Sequence, residues 1–377
     1  MILSLSPTYQ LKSITSRKEK EFMILTFNGK FMSRGLNKVL GYESAPDYNP
    51  LGLPPYTLRV RYAEGTSPNV TYSGATAVEV TGQPNVWDIT LESSDWSQMF
   101  AIGPNAYQSN ANLLEVLGAN STGVTDMHDL FQSTSITTLP LFDTTQVTDM
   151  HWFVGQCLSL VSFPAFDCSH VTNMNNMFRG DTSLVTVEFN DTRNVTAMGS
   201  MFRGCTALRS VQGLNTAAAT VMDFLFSGCT SLEDIPTLDL SGVTNASYMF
   251  DYCGSLESIT LINTSSVTNM EHICESCTSL TDISIDDMSH VQNLFYAFHT
   301  CSSLRQIPLF NLASATDTRI MFAECRNVES GALALYQQTS SQANPPDEHS
   351  AMFLNCGADT VSGAAELEQI PFGWKNW

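Results

Sequence analysis

Lysine is almost missing from this chain: none occurs between Lys38 and Lys375. Charged residues of every kind make up only 14% of 377, and the formal net charge is −20. A surface so poor in basic groups has little to set against phosphates, which excludes nucleic acid as a partner. No apolar run approaches the roughly 18 residues that a membrane helix needs, so no insertion into a bilayer is expected. The opening MILSLSPTYQLKSITSRKEKEF puts no charged start before an apolar stretch, so no secretory signal is read there. Sequons such as Asn69-Val70-Thr71 then carry no expectation of glycosylation. A nucleophile elbow, a phosphate loop and an HExxH pair are absent as well, and the seven histidines share no catalytic spacing. Paired acids such as Asp286-Asp287 fall in a turn, where solvation explains them better than acid–base work. The chain is expected not to be an enzyme and to hold no cofactor.

What is present is order. Hydrophobic residues reach 43%, enough for a large core. The stretch Val171–Asn194, VTNMNNMFRGDTSLVTVEFNDTRN, repeats: Val195, Ala219, Val243, Val267, Val291 and Ala315 each open a further copy 24 residues after the last. Val147 opens one 24 residues earlier and Val124 one 23 before that. A fixed period in the twenties, with apolar residues at fixed offsets, marks a solenoid whose units must stack to bury their apolar faces. The expected fold is an α/β solenoid: a right-handed stack of about ten leucine-rich-repeat-like turns, with a parallel sheet along one face.

Let the opening residue be offset 0. Met or its equivalent stands at offset 3 and the Met-Phe pair at offsets 6 and 7, which predicts a short helical turn. Leu184, Val187 and Phe189, at offsets 13, 16 and 18, predict a strand with its apolar side inward. An Asp or Asn at offset 20 (Asp167, Asp191, Asn215, Asp239, Asn263, Asp287, Asn311) is expected to close a turn onto its own backbone. A calcium ladder is disfavoured there, since each unit brings one carboxylate and several bring none. Cysteine recurs at offset 10, in Cys157, Cys205, Cys229, Cys253, Cys277, Cys301 and Cys325, with Cys356 in the last partial unit. A column of equivalent single thiols singles out no pairing, so buried, reduced, metal-free cysteines are expected. Cys274 stands where other units have Phe and reads as a core substitution.

Two sets of positions vary between units. Offset 5 reads Trp152, Asn176, Ser200, Phe224, Tyr248, His272, Tyr296 and Ile320. Its rings either stack on sugars or anchor a protein contact, or they pack on the next unit. The outward strand positions at offsets 14 and 15 include Val161, Val185, Arg209, Glu233, Asp234 and Glu257. The candidate contact residues are therefore Trp152, Phe224, Tyr248, His272, Tyr296, Glu233, Asp234 and Glu257, with no catalytic or metal-ligating residue among them.

Around the repeats, residues 1–20 read as a basic arm, 21–92 as a small β domain, 93–329 as the solenoid, and 330–377 as a cap with the last partial repeat. Asn28-Gly29 predicts a tight hairpin. Tyr56–Tyr62, Ala77–Val80 and Val86–Leu91 predict strands, and Gly331–Ser340 a helix. Residues 1–61 hold nine basic and four acidic groups, and the remainder eight and 33. The basic head either seats on an acidic partner surface, such as one of its own assembly, or is a solubilising mixed-charge segment.

The pattern V-T-N-M-x-x-M-F-x-x-C-x-S-L-x-x-I, carried by Val243–Ile259 and Val267–Ile283, resembles the BspA-like leucine-rich repeats, which include a Mycoplasma surface-protein repeat family. The resemblance covers about residues 93–357 and implies a curved solenoid on a surface or secreted protein that binds other molecules. The flanks, PPYTLRVRYAEGTSPNV and ESGALALYQQ…GAAELEQIP, look like those around such repeats in virion proteins of gut bacteriophages. The resemblance thus implies a virion protein, a fibre or decoration of head or tail. It would be a homo-oligomer attached to other virion proteins through its N-terminal region and contacting a host-surface glycan or protein. A bacterial cell-surface adhesin, or a decoration protein with no external ligand, is the alternative.

Overall fold

The computed structural model describes residues 48–70, 74–97, 99–100, 111–342 and 345–376, together with three strands nearer the N-terminus. Those strands, β1 (Gln10–Ile14), β2 (Phe22–Phe27) and β3 (Lys30–Phe31), form an antiparallel sheet in the order β1-β2-β3. They belong to a separate unit, residues 1–47. Phe27 pairs with Lys30, as the hairpin expectation requires, while Asn28-Gly29 itself lies outside the described residues. The stretch read as an arm contains β1: the apolar residues of QLKSI give it a strand to offer, and FMILTF pairs with it along its whole length.

The second unit, residues 48–377, begins with a four-stranded antiparallel sheet in the order β5-β6-β4-β7. Its strands are β4 (Thr57–Tyr62), β5 (Thr76–Glu79), β6 (Val86–Thr90) and β7 (Leu113–Asn120). Leu58, Val60, Tyr62, Ile89, Leu113 and Val116 are buried on one face, in one continuous core with the repeats. Because β7 lies beyond residue 92, the sheet does not end at the boundary drawn from the sequence. It joins the repeats directly, with Ser135 N–H donating to Leu113 O at 3.1 Å.

The repeats stack in parallel at their own period. Asp126, Asp149, Asn173, Ala197 and Val221 bridge in succession, as do Asn245, Asn269, Asn293 and Asp317. A second ladder runs through Ser162, Thr186, Ser210 and Asp234. It contains the short strands β8 (Thr186–Glu188) and β9 (Ser210–Gln212). Further along lie β10 (Leu238–Asp239), β11 (Ser258–Ile262) and β12 (Asp282–Ile285), also parallel. β11 alternates exposed and buried residues, as its spacing predicts.

The segment from offset 3 to offset 10 is not helical, which corrects the sequence reading. The residues at offsets 5 and 9 sit in the left-handed region, from Trp152 (φ 53°) to Gln156 (φ 65°) and Gly180 (φ 80°). That breaks the right-handed run every four residues and turns alternate N–H groups toward the next repeat. Met174, Asn176, Phe178 and Gly180 donate to Ala197, Gly199, Met201 and Arg203 carbonyls at 2.8–3.0 Å. The intervening N–H groups close tight turns at home, such as Met177 to Met174 O at 3.2 Å. The apolar spacing of a helical turn is kept, because the chain still curls, but its hydrogen bonds run between repeats.

Inside, the offset-7 phenylalanines form a column: Phe178, Phe202, Phe226 and Phe250 stack at 5.2–5.8 Å and within 8° of parallel. Cys274 interrupts it, fully buried. All ten cysteines are buried and unbridged. The offset-10 thiols of the seven full repeats each donate to the offset-7 carbonyl of the preceding repeat, as Cys205 does to Phe178 O and Cys229 to Phe202 O, both at 3.0 Å. Burial pushes the Cys157 thiol up to about 12, so it stays protonated and can donate. Six of the seven offset-20 side chains close their turns as expected, as Asp167 does by accepting from Ser169 N–H and Asp239 from Ser241 N–H, both at 2.9 Å; Asn263 is left-handed and instead donates to Asp239 Oδ2 at 2.9 Å.

The far end is closed by α1 (Ala332–Ser340), α2 (Val361–Gln369) and α3 (Phe372–Lys375). Ala351 and Phe353 donate to the Asn376 and Trp374 carbonyls at 3.0 and 2.9 Å, so the tail substitutes for a further repeat. Among the described residues no helix is long and apolar enough to cross a membrane.

Candidate functional site

The offset-5 residues are placed by backbone conformation. Each is left-handed, from Trp152 to Ile320 (φ 62°), and this holds the side chain beside its equivalent one repeat away, half-buried from Trp152 to Tyr296 and buried at Ile320. Strands of a parallel ladder are spaced by about 4.8 Å, which is also a stacking distance for flat rings. Phe224 and Tyr248 therefore stack at 4.6 Å, Tyr248 and His272 at 4.5 Å, and His272 and Tyr296 at 4.9 Å, all within 8° of parallel. The Arg203 guanidinium lies 4.5 Å over Phe224 and closes that end. At the other end Tyr296 packs with Ile320, Ala323 and Ala351.

The structure thus brings together four of the five rings picked from the sequence and leaves out Trp152, which is separated from them by Asn176 and Ser200. Trp152 lies against Gly155, where no room remains for a Cβ, and faces Arg179 at 5.3 Å. Sugar stacking needs a free ring face. In the four-ring column the faces are occupied by each other, by Arg203 and by the Ile320 cluster, leaving edges and hydroxyls.

A second column at offset 8 flanks the rings, and the sequence reading did not single it out. It runs Arg203, Ser227, Asp251, Glu275, His299. Glu275 accepts from His272 Nδ1 and lies 3.4 Å from His299 Nδ1. Burial works against its charge, but the hydrogen bonds from His272 and His299 outweigh it and hold Glu275 down at about 2. Asp251, one repeat away, is raised to about 7 by burial and by the charge of Glu275. Burial, with Glu271, Asp251 and Glu275 nearby, raises the Tyr248 hydroxyl too. Two adjacent carboxyls pushed in opposite directions are a pattern used in acid–base catalysis. Here Asp251 is only 8% exposed, and a general acid has to reach its substrate. The periodic placement of a carboxyl at offset 8 in successive repeats was the signal that could have exposed this cluster.

Glu233, Asp234 and Glu257 lie elsewhere, exposed on the strand ladder. Glu233 pairs with Arg209 at 2.6 Å. On the same ladder Val161 and Val185 are 47% and 39% exposed, and Leu158, three residues before Val161, is 60% exposed. The ladder therefore passes from an apolar end to an acidic middle, beyond which Arg305 pairs with Glu329 at 3.4 Å. Among the described residues no hydrogen bond, ion pair or ring contact joins it to the aromatic column.

Parallel repeats, fixed buried columns and end caps define a leucine-rich-repeat protein. Residues 94–184, 159–259 and 220–336, more than half of the chain, match the family described as "Mycoplasma protein of unknown function, DUF285", and the chain belongs to that family. Among solved structures it is similar to a leucine-rich repeat protein from Eubacterium ventriosum, at 18% identity over 48% of this chain and 56% of that one, with a TM-score of 0.32. It is similar also to a leucine-rich cell surface protein from Faecalibacterium prausnitzii, at 18% identity over 67% and 70% of the two chains, with a TM-score of 0.35. No curated protein matches it.

Proposed function

We propose that this chain is a non-enzymatic recognition protein, carried on a bacteriophage particle, that touches a host-surface protein through the exposed side of its strand ladder. The observation that carries this is the contrast along one repeat. Offsets 0, 3, 7, 10 and 13 are closed in the core, while offsets 14 and 15 stay in solvent and change from Val161 and Val185 to Arg209, Glu233, Asp234 and Glu257. An exposed apolar group beside an acidic stretch suits a protein partner with an apolar centre and a basic rim. A glycan is less well served, since the aromatic column offers it no ring face. The N-terminal region, with its excess of basic residues, would attach the chain to other virion proteins as a homo-oligomer. The particle assignment rests on the likeness of the flanks to those of phage virion proteins; display on a bacterial cell surface is the second reading, favoured by the family.

The test is binding of the purified chain to host cells. Val161→Asp with Val185→Asp should weaken it tenfold or more, while Trp152→Ala with Tyr248→Ala and Tyr296→Ala should leave it unchanged if folding is kept. The reverse result would move the contact to the aromatic column, and no loss in either would favour a decoration protein without an external ligand. Mass spectrometry should find the chain in purified particles; recovery in the cell envelope alone would favour the adhesin.

A further inference from the structure

The offset-2 residue is a carboxylate on successive rungs at both ends of the stack, and at the far end Arg319 neutralises the pair, lying 2.6 Å from Asp317 and 3.8 Å from Glu348. Where this residue is Asp or Asn, its Oδ1 accepts the backbone N–H two residues on, whichever of the two it is. Asp126 does so from His128 at 3.0 Å and Asp149 from His151 at 2.8 Å; Asn173 does so from Asn175 at 3.1 Å and Asn269 from Glu271 at 3.0 Å. An amide therefore serves this turn as well as a carboxylate, and it also settles its neighbour: Asn173 Nδ2 donates to Asp149 Oδ2 at 3.0 Å. At the start of the stack three successive rungs, Asp95, Asp126 and Asp149, are all carboxylates joined by parallel bridges. Like charges one rung apart, about 4.8 Å, repel. The turn does not ask for them.

Two further features lie at the same place. His128 Nδ1 is 2.7 Å from Asp126 Oδ1, and the His151 ring follows at 6.1 Å. Asp129 carries an Oδ1 that is buried and has no hydrogen-bond partner among the described residues, and its carboxyl lies close enough to feel the charges of His151, His128, Asp149 and Asp126. One ligand atom each from Asp95, Asp126 and His128 lies within 4.8 Å of the others. A tetrahedral ion with bonds of about 2.1 Å holds its ligand atoms about 3.4 Å apart, within that limit.

We propose that Asp95, Asp126 and His128 bind one divalent transition-metal ion of the zinc class. An imidazole among the donors favours such an ion over calcium, which takes six to eight oxygens. The ion would hold the first rung, Asp95, to the second and neutralise the stacked carboxylates.

The experiment is calorimetric titration of the full chain with zinc chloride and, separately, calcium chloride. The variants copy residues the other repeats already use at the same offsets: Asp126→Asn as at Asn173, and His128→Asn as at Asn175. The native chain is expected to bind one zinc ion, with calcium at least tenfold weaker, and zinc should raise its melting temperature. The double variant should keep or raise the metal-free melting temperature, since it removes a repelling carboxylate, and lose at least tenfold in zinc affinity, which also separates this site from zinc taken up by the buried thiols. Asp95→Asn, on a different rung, should lose affinity likewise and keeps the test decisive should the double variant unfold. Equal zinc affinity in the native chain and the variants, no saturable zinc binding, or a preference for calcium would each overturn the assignment.

Discussion

Two columns run through the repeats five residues apart and obey different rules. At offset 10 the side chain points into the core, and it is a thiol in seven full repeats and the last partial one, because the place has room for one small group that can donate to a carbonyl below it. At offset 5 the chain is left-handed; Trp, Asn, Ser, Phe, Tyr and His stand there half-exposed, and Ile320 stands there buried. The inner column is selected by volume and hydrogen bonding, the outer one by neither. The difference teaches caution about aromatic stripes. A repeat that sets equivalent residues about 4.8 Å apart will stack any rings placed there, with or without a ligand.

The comparison breaks most visibly at neighbouring phenylalanines. Phe226 belongs to the inner stack and is fully buried, whereas Phe224, two residues earlier, belongs to the outer one. Phe226→Ala is expected to cost about 3–5 kcal/mol, as an aromatic-sized cavity in a core usually does. Phe224→Ala should cost about 1 kcal/mol, since it removes a half-buried ring's stacking on Tyr248 and its contact with Arg203. Urea denaturation of both variants measures the gap, and equal destabilisation would mean that the outer rings are core.

Asp181 sharpens the comparison from inside, since it replaces the thiol in the inner column. It is fully buried; one oxygen accepts from Cys157 N–H at 2.8 Å, and the other has no partner among the described residues. Burial, with Cys205 nearby, raises its carboxyl well above the ordinary value, so the folded chain keeps a proton that the unfolded chain releases above pH of about 4. The folded state then binds more protons, and stability falls as pH rises through that window. Asp181→Cys should remove this part of the slope and stabilise by about 2 kcal/mol at pH 7, with little gain at pH 3. Asp251, raised to about 7, leaves a residual slope of the same sign in both proteins. A gain equal at both pH values would point to packing and not to the proton.

The period, the buried offsets, the thiol column, the turn-closing acids and the strands around residue 60 were legible because each depends on a residue type recurring at one place. What was not legible depends on hydrogen bonds whose partners lie one repeat away. The 0, 3, 6/7 spacing of apolar residues is shared by a helix and by the observed train of turns; only the left-handed residues tell them apart, and Gly180, Gly204 and Gly228 at offset 9 were the hint. The buried Thr192 and Thr264, whose hydroxyls donate to the Asn215 and Asp287 carbonyls at 3.1 and 2.6 Å, look like any polar loop residue in the sequence. For the contact residues, the alternation of offsets 14 and 15 did place Glu233, Asp234 and Glu257 in solvent. Burial of the ring faces could not be read, because it requires the distance between repeats.

The smallest effect concerns the left-handed positions themselves, where all repeats share a backbone but not a residue. At offset 9 Gly180, Gly204 and Gly228 sit at φ 76–80°, while Ser276 holds the same place at φ 57° with a Cβ. A residue with a Cβ is disfavoured there by about 1–2 kcal/mol, and the freer unfolded chain of glycine offsets part of that difference. Ser276→Gly should therefore stabilise by about 0.5 kcal/mol, seen as a small rise in the urea midpoint with an unchanged slope. The same change at a site of the same repeat that is not left-handed, Ser279→Gly, should destabilise by a similar amount. If both variants are destabilised, the left-handed backbone is not what the sequence is strained to keep, and the tolerance of the outer column would need a different cause.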